Sequence, residues 1–264
     1  MRYFIVYAHP EPRSLNGSLK DAAVQALTQT GNEVRVSDLY AMGFKAVADA
    51  GDFPMREAAS RLVYHRESEQ AYKAGQLLPE VVREIENLKW ADVVVLQFPL
   101  WWFGPPAILK GWFDRVLVNG FAIGVPREGT RQWLRYGEGL LAGKRGILAV
   151  TTGGREAQFS GRGINGPIDD ILFPINHGIF HYTGMKALAP FVAFRTVRTT
   201  SEDFLQMRDR YVARLLAAGQ EVPMGYRFEN GGDYDETGRL RNDLGEGSSG
   251  FRLHLKDQES GMNL

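Results

Sequence analysis

Cysteine is absent from the 264-residue chain, which excludes disulfide bonds, thiol nucleophiles, iron–sulfur clusters and thiolate metal sites. Any redox chemistry therefore requires a bound cofactor. An excess of charge is also lacking, because 31 basic residues equal 31 acidic ones, so we expect no nucleic acid partner. No apolar run reaches 18 residues, and Met1 to Tyr7 resembles a core strand rather than a leader. We expect a cytoplasmic protein without membrane insertion.

Short apolar runs predict a parallel sheet. Four of them, at residues 3–8, 91–98, 146–151 and 187–194, have the composition of buried strands, and the alternating segment 33–38 suits a strand nearer the edge. Amphipathic segments with helical spacing lie between these strands. The alternation predicts an α/β fold with a doubly wound five-stranded parallel sheet flanked by helices, over residues 1–219.

Two further segments complete the expected organisation. Residues 40–80 form a long excursion with predicted helices near 56–73 and 79–89, and Ser201 is the predicted N-cap of the last helix. From residue 220 onwards, clusters of glycine, asparagine and aspartate replace the regular pattern. We expect residues 220–264 to be a C-terminal extension that packs on the same domain or on a dimer partner.

The first loop expected to carry chemistry, loop one, spans residues 9–17 between the first strand and the first helix. Ligands of open parallel sheets bind beyond the carboxyl ends of the strands. Ser14 and Asn16 could donate to a diphosphate at the helix N-terminus, with positive character from His9 and Arg13. Ordinary helix capping by Ser14 and Asn16 is an equally good interpretation.

Loop two, residues 98–106, concentrates three consecutive aromatic residues at 101–103 and three prolines after a central strand. A planar flavin or nicotinamide ring stacks well on such side chains, which makes Trp101, Trp102 and Phe103 candidate contacts. The alternative is packing under the following helix, above all for Trp101.

Loop three, Thr151 to Gly154, leaves the fourth strand. The backbone N–H groups of Gly153 and Gly154 could donate to a flavin edge where negative charge develops. A plain glycine-rich turn is the alternative.

Taken together, these segments resemble the NAD(P)H:quinone reductases of the DT-diaphorase type. The matching stretches are residues 8–9, 14–16, 37–42, 97–113, 151–154 and 174–175, and the run 97–113 is highly specific. The resemblance covers roughly residues 1–195. It implies a flavodoxin-like fold, FAD as cofactor, a homodimer with sites at its interface, and ping-pong hydride transfer from NAD(P)H to quinone-like acceptors, with azo and nitro compounds as further candidates.

The resemblance also implies roles for individual residues. FAD contacts fall on His9, Ser14, Leu15, Asn16, Pro99, Leu100, Trp102, Phe103, Thr151, Thr152, Gly153 and Gly154. Trp102, Phe103, Gly153 and Gly154 would also face the nicotinamide or the quinone, and Tyr182 would project into the pocket of the partner subunit.

The chain departs from the family at four pocket positions. Phe159 and Asn165 stand where mammalian members have Tyr and His, and Ile123 and Val125 stand where they have two tyrosines. These side chains cannot take up a proton usefully, although Asn165 can donate a hydrogen bond. We therefore list Gly153, Gly154 and Asn165 as candidate catalytic residues and expect an apolar pocket mouth.

Other interpretations remain open. Relatives of this fold also serve as ancillary subunits of potassium-efflux systems, and loss of the Tyr and His permits a flavin-binding regulatory role; a one-electron carrier is a third hypothesis. The Gly-x-Gly-x-x-Gly pattern at 161–166 lies about ten residues beyond its strand, so it is not the dinucleotide turn. His177 and His181 lack an obvious third ligand, so we expect packing rather than a metal site.

Overall fold

In a computed structural model of the chain, which describes residues 1–57, 59–130 and 132–256, one parallel sheet has five strand positions. These are β1 (Arg2–Tyr7), β2 (Glu33–Asp38), β3 (Val93–Pro99), β4 (Arg145–Thr151), and a last position shared by β5 (Lys186–Ala187) and β6 (Phe191–Ala193). The order is β2-β1-β3-β4-β5, with β6 also paired to β4. This is the order of a flavodoxin-like sheet, so the predicted fold class is confirmed.

The last strand position is interrupted, where the sequence predicts one strand over 187–194. Ala187 pairs with Gly146 and Phe191 with Ala149, and Leu188 N–H still donates to Gly146 O at 2.8 Å, but residues 189–190 pair with no strand. Pro190 lies in this gap and has no N–H group to donate. The proline therefore divides the strand into β5 and β6.

Helices cover both faces of the sheet. Residues of α1 (Leu15–Gln29) and α6 (Ser201–Ala217) pack in one core, and residues of α3 (Pro79–Trp90), α4 (Ala107–Val116) and α5 (Ile168–Ile175) pack in the other. Alternate residues of β1 point to opposite faces, so Phe4 belongs to one core and Ile5 to the other. A further helix, α2 (Tyr64–Lys73), belongs to the predicted excursion.

Two predicted helix boundaries are wrong. The helix expected from residue 56 begins at Tyr64, because successive turns, with Arg56 N–H bonded to Phe53 O, occupy the preceding segment. Thr200, rather than Ser201, caps α6: its hydroxyl accepts from Asp203 N–H at 3.1 Å, and the Asp203 carboxylate accepts from Thr200 N–H at 3.0 Å. This reciprocal pair is a capping box. With Ser201 as N-cap the partner would be Phe204, whose side chain has no oxygen that could accept a hydrogen bond.

The described part of the extension, residues 220–256, folds back on itself and lies against α5 and the following π-helix, Asn176–His181. Phe251 stacks on Phe173 with ring centroids 4.1 Å apart, and Phe173 stacks on His177 at 4.5 Å. His181 Nε2 donates to Arg227 O at 3.0 Å. Both predicted histidines thus serve packing or hydrogen bonding, while residues 257–264 lie outside the described residues.

Within the described residues, no helix is long and apolar enough to cross a bilayer.

Candidate active site

The strand order places the three predicted loops beside one another. The chain leaves β1 towards β2 on one side and crosses to β3 on the other, so the topological switch point lies between β1 and β3. Loop one follows β1, loop two follows β3, and loop three follows the adjacent β4. Leu100 N–H donates to Thr151 O at 2.8 Å, which joins loop two to the start of loop three.

Loop one is shorter than the predicted span of residues 9–17, because α1 begins at Leu15 and Ser14 is its N-cap. Ser14 Oγ accepts from Gly17 N–H at 3.1 Å, so Ser14 caps α1 as the alternative interpretation held. The first N–H groups of a helix have no acceptor within the helix, so those of Leu15 and Asn16 remain available to an anion. A Cβ at Gly17 would collide with the Pro12 carbonyl, so only glycine allows loop one to fold back over the helix start.

The charged residues of loop one contribute less positive character than the sequence suggests. Arg13 pairs with Glu11 at 3.0 Å, and this guanidinium holds the pKa of the Glu11 carboxyl below its usual range. His9 Nδ1 lies 3.1 Å from both the N and the O atom of Glu11, so the backbone of loop one engages this ring nitrogen. The helix N-terminus, and not Arg13, therefore supplies the attraction for an anion.

A buried chain of polar side chains lies behind loop one. Asn16 is only 2% exposed, and its Nδ2 donates to Thr151 Oγ1 at 2.6 Å. Gln97 Nε2 donates to Asn16 O at 2.7 Å, and Gln97 Oε1 accepts from Tyr211 O–H at 2.9 Å. The Asn16 side chain is thus occupied within the protein, and only its backbone N–H remains for the anion that the sequence predicts. Sequence reasoning missed Gln97, although a glutamine inside an apolar strand signals such a network.

Loop two turns sharply and presents its rings to solvent. Trp101 and Gly104 exchange backbone hydrogen bonds of 3.0 Å, which closes a two-residue turn. The two central residues, Trp102 and Phe103, have φ angles of 51° and 59°, a left-handed conformation normally left to Gly, Asn or Asp. Trp102 is 98% exposed, Phe103 54% and Trp101 42%, so the packing alternative for Trp101 is wrong.

Loop three is fixed by backbone hydrogen bonds to β6 and the segment that follows it. Thr152 N–H donates to Ala193 O at 2.8 Å, and Gly154 O accepts from Arg195 N–H at 2.9 Å. A Cβ at Gly154 would lie 2.6 Å from the Phe159 ring, so glycine is required for the close approach of this ring. Phe159 is buried, with its ring centroid 5.7 Å from that of Phe194, and it supports loop three from behind.

The remaining predicted pocket residues form a separate group. Val125 O accepts from Leu134 N–H at 2.8 Å, and Tyr182 O accepts from Tyr136 N–H at 3.0 Å. Ile123 is half-buried at the edge of the core. Across the described ranges, no hydrogen bond or ring contact joins this group to the three loops.

Asn165 lies on the connection from loop three to α5. It is half-buried, and its N–H donates to Gln158 O at 2.9 Å. The glycine pattern at 161–166 occupies turns on this connection and does not open a helix directly after β4. In the described part of the chain, no group of three or more His, Asp or Glu side chains could hold a metal ion.

Fold and loop placement together define a flavodoxin-like protein whose three candidate loops meet at the switch point of its sheet. The family model described as flavodoxin-like fold matches residues 1–215. A solved structure from Klebsiella pneumoniae, described as a quinone reductase, has a TM-score of 0.93 and 47% identity, over 97% of this chain and 99% of that one.

Two curated relatives extend this likeness. A ribosyldihydronicotinamide dehydrogenase-like protein of Penicillium crustosum is 44% identical over 98% of this chain and 97% of its own. The NAD(P)H dehydrogenase [quinone] 1 of Rattus norvegicus is 40% identical over 84% of this chain and 79% of its own. The chain therefore belongs to the flavodoxin-like family of NAD(P)H:quinone oxidoreductases, which confirms the resemblance read from its motifs.

Proposed function

We propose that the chain binds FAD and passes two electrons, as a hydride, from a dihydronicotinamide to a quinone-like acceptor. The observation that carries this proposal is the turn of loop two. A left-handed tryptophan or phenylalanine costs about 1–3 kcal/mol of backbone strain, and exposure of the Trp102 ring forfeits the gain from burial. A strained turn that holds rings in solvent is best explained by a flat ligand that covers them.

The choice of FAD rests on the surroundings of the α1 N-terminus. The free N–H groups of Leu15 and Asn16 suit a phosphate, and a shallow, open surface groove of about 420 Å³ adjoins Leu15. Its other lining residues are Thr196, Thr199, Thr200, Ser201, Phe204 and Leu205. An FMN phosphate would end at the helix, whereas the adenosine of FAD would extend into this groove. Phe204 offers that base an apolar ring.

The bound flavin would supply hydride transfer, and the chain would supply position and electrostatics. Trp102 and Phe103 would cover one face of the ring and exclude water from it. The backbone N–H groups of loop three would donate to the flavin edge at which negative charge develops. Rigid anchoring of loop three to Ala193 keeps these donors aimed without reorganisation.

We also propose a homodimer in which each subunit completes the pocket of the other. Ile123, Val125 and Tyr182 lie apart from the three loops of their own chain, and the large exposed surface of Trp102 is available for a partner to cover. One pocket would then receive the hydride donor and the acceptor in turn, in a ping-pong sequence. The apolar side chains of Ile123 and Val125 favour flat, weakly polar acceptors, of which azo and nitro compounds are further candidates.

Anaerobic stopped-flow absorbance tests this function. The protein, loaded with FAD or with FMN, is mixed with NADH, NADPH or dihydronicotinamide riboside and then with a quinone. Fast bleaching and fast recovery, with tighter binding of FAD than of FMN, are the expected results. Flavin binding without either fast step would overturn the enzyme assignment and favour the regulatory subunit of a potassium-efflux system.

Thr199→Trp, which fills the groove, is expected to weaken binding of FAD and leave FMN binding unchanged. The same loss for both flavins would count against the adenosine groove.

A further inference from the structure

Residues 227–230 of the extension bind two separate segments of the flavodoxin-like body. Glu229 accepts two hydrogen bonds from Arg135, at 2.8 and 2.6 Å, in a bidentate ion pair. Asn230 Nδ2 donates to Glu138 Oε2 at 2.8 Å. Both contacts reach the segment between α4 and β4, about 92–94 positions away in sequence. The extension therefore holds that segment at two adjacent points.

The same four residues also contact the end of the π-helix. His181 Nε2 donates to Arg227 O at 3.0 Å, and the Phe228 ring lies 5.6 Å from that of His181. Phe228 also covers Gly137, whose φ is 95° and where an added Cβ would collide with the ring. The lack of a side chain at Gly137 thus lets the half-exposed Phe228 ring lie against this segment and beside His181.

These two segments carry the residues that would face the acceptor. Tyr136 N–H donates to Tyr182 O at 3.0 Å and Gly137 N–H to His181 O at 2.8 Å, while the Tyr136 and Tyr182 rings meet edge to face at 4.8 Å. Two residues before Tyr136, Leu134 N–H donates to Val125 O. A shift of the 134–138 segment would therefore move both Val125 and Tyr182.

We propose that residues 227–230 form a clamp that positions Val125 and Tyr182, so that the extension sets which acceptors fit the pocket. This inference rests on the proposed function, because it presumes that these two side chains line the acceptor site. The clamp residues act through their neighbours, which makes Glu229 a positioning residue and not a catalytic one. Polycyclic quinones, which fill more of the pocket than a single ring, should depend on the clamp most.

Glu229→Ala, which removes both hydrogen bonds from Arg135, tests the clamp, and Glu229→Gln keeps one acceptor oxygen as the conservative variant. Asp243→Asn is the matched control, since the Arg241–Asp243 pair is also bidentate but lies exposed within the extension. We expect Glu229→Ala to speed amide hydrogen exchange at residues 134–137. The KM for a polycyclic quinone should rise about tenfold, as expected for a displaced pocket wall.

Four further results are expected. The KM for a one-ring benzoquinone and the flavin content should stay unchanged in Glu229→Ala, and Glu229→Gln should lie between Glu229→Ala and the unaltered protein. Asp243→Asn should match the unaltered protein throughout.

Faster exchange with unchanged KM for every acceptor would overturn the inference, because the clamp would then hold a segment that does not shape the pocket. Unchanged exchange in Glu229→Ala would overturn it as well, because the clamp would not hold the segment. Quinone reduction by the unaltered protein is measured first, before the variants are compared. If the unaltered protein reduces no quinone, that result overturns the proposed function and not the clamp.

Discussion

Aromatic side chains gather both in loop two and on α5, and the two regions use them in opposite ways. In loop two, Trp102 and Phe103 occupy left-handed backbone positions and point into solvent. On α5 and the π-helix, the Phe173 ring stacks on His177 and on Phe251 of the extension, and Tyr226 of the extension meets His177 edge to face. The first arrangement costs conformational energy, whereas the second gains energy from burial.

The difference shows how to separate a ligand platform from a packing cluster when both are aromatic. Rings that pack for stability cover one another, even where the backbone of one of them is left-handed, as at Tyr136 with a φ of 45° and its ring 5.0 Å from that of His177. Rings held exposed by a strained turn are instead maintained for something that the chain itself does not provide. The three predictions below test this comparison.

The largest effect is expected at Trp102. Trp102→Ala should slow hydride transfer to the flavin about a hundredfold, because the platform that aligns the ring is lost. Trp102→Gly should lose the same activity, yet its free energy of unfolding should exceed that of Trp102→Ala by about 1 kcal/mol, since glycine adopts the left-handed conformation without strain. Stopped-flow bleaching and urea unfolding measure the two quantities.

Trp90→Ala is the control for this pair, because Trp90 precedes β3 and lies at the opposite end of the sheet. Its hydride transfer rate should match that of the unaltered protein. Full activity in both Trp102 variants would show that the exposed turn is no platform, and the contrast between the two aromatic regions would fail.

A smaller effect is expected in the packing cluster when the pH falls. Burial, with the nearby rings of His181 and His254, lowers the pKa of His177 to about 3, and burial also lowers the pKa of His181 and His254. Histidines of the unfolded chain bind a proton near pH 6.5, whereas the buried histidines of the folded cluster stay neutral at that pH. Below about pH 6.5, protonation therefore stabilises the unfolded state relative to the folded one. Stability should therefore be full above about pH 6.5 and decline as the pH falls towards the folded value.

We expect the free energy of unfolding to drop by about 1 kcal/mol for His177 between pH 7 and pH 5, after allowance for its partial exposure. Urea unfolding at both pH values checks this, with His177→Gln and the exposed control His65→Gln. The drop should shrink in His177→Gln alone. An equal drop in all three proteins would mean that the cluster does not hold His177 neutral.

Much of the sheet and of the placement of the candidate loops could be predicted from the sequence, because local patterns determine both. The strand at 33–38 has the predicted limits and lies at the sheet edge. The loops after β1, β3 and β4 had to meet, since the carboxyl ends of parallel strands share one edge. The candidate residues of those loops followed from that rule and from the matching motifs.

The features that escaped prediction depend on contacts far apart in the chain or on unusual backbone. The two central positions of the turn, Trp102 and Phe103, hold neither Gly nor Asn, so their left-handed conformation has no sequence signal. The partners of Gln97 lie 81 and 114 positions away, and those of Glu229 and Asn230 are comparably remote. The irregular extension has no periodicity from which such pairings could be inferred.

The smallest predicted effect concerns Asn165, which lies between the two regions on the connection from loop three to α5. In the part of the chain that the structure describes, its side-chain amide has no hydrogen-bond partner, so it is available to an acceptor. We expect Asn165→Ala to slow reoxidation by a quinone about fivefold, the loss of one neutral hydrogen bond, and to leave bleaching by the hydride donor unchanged. Double-mixing stopped flow separates the two steps.

Asn165→His sharpens the assignment, because it restores the titratable ring that mammalian family members have here. Reoxidation by a quinone should then become faster below about pH 6.5, where the imidazole carries a proton to donate, and should match Asn165→Ala more closely at high pH. Asn165→Ala itself should show no such pH dependence. If the histidine variant and the alanine variant share one pH profile, residue 165 lies outside the reach of the acceptor, and loop three with its backbone donors must hold the acceptor alone.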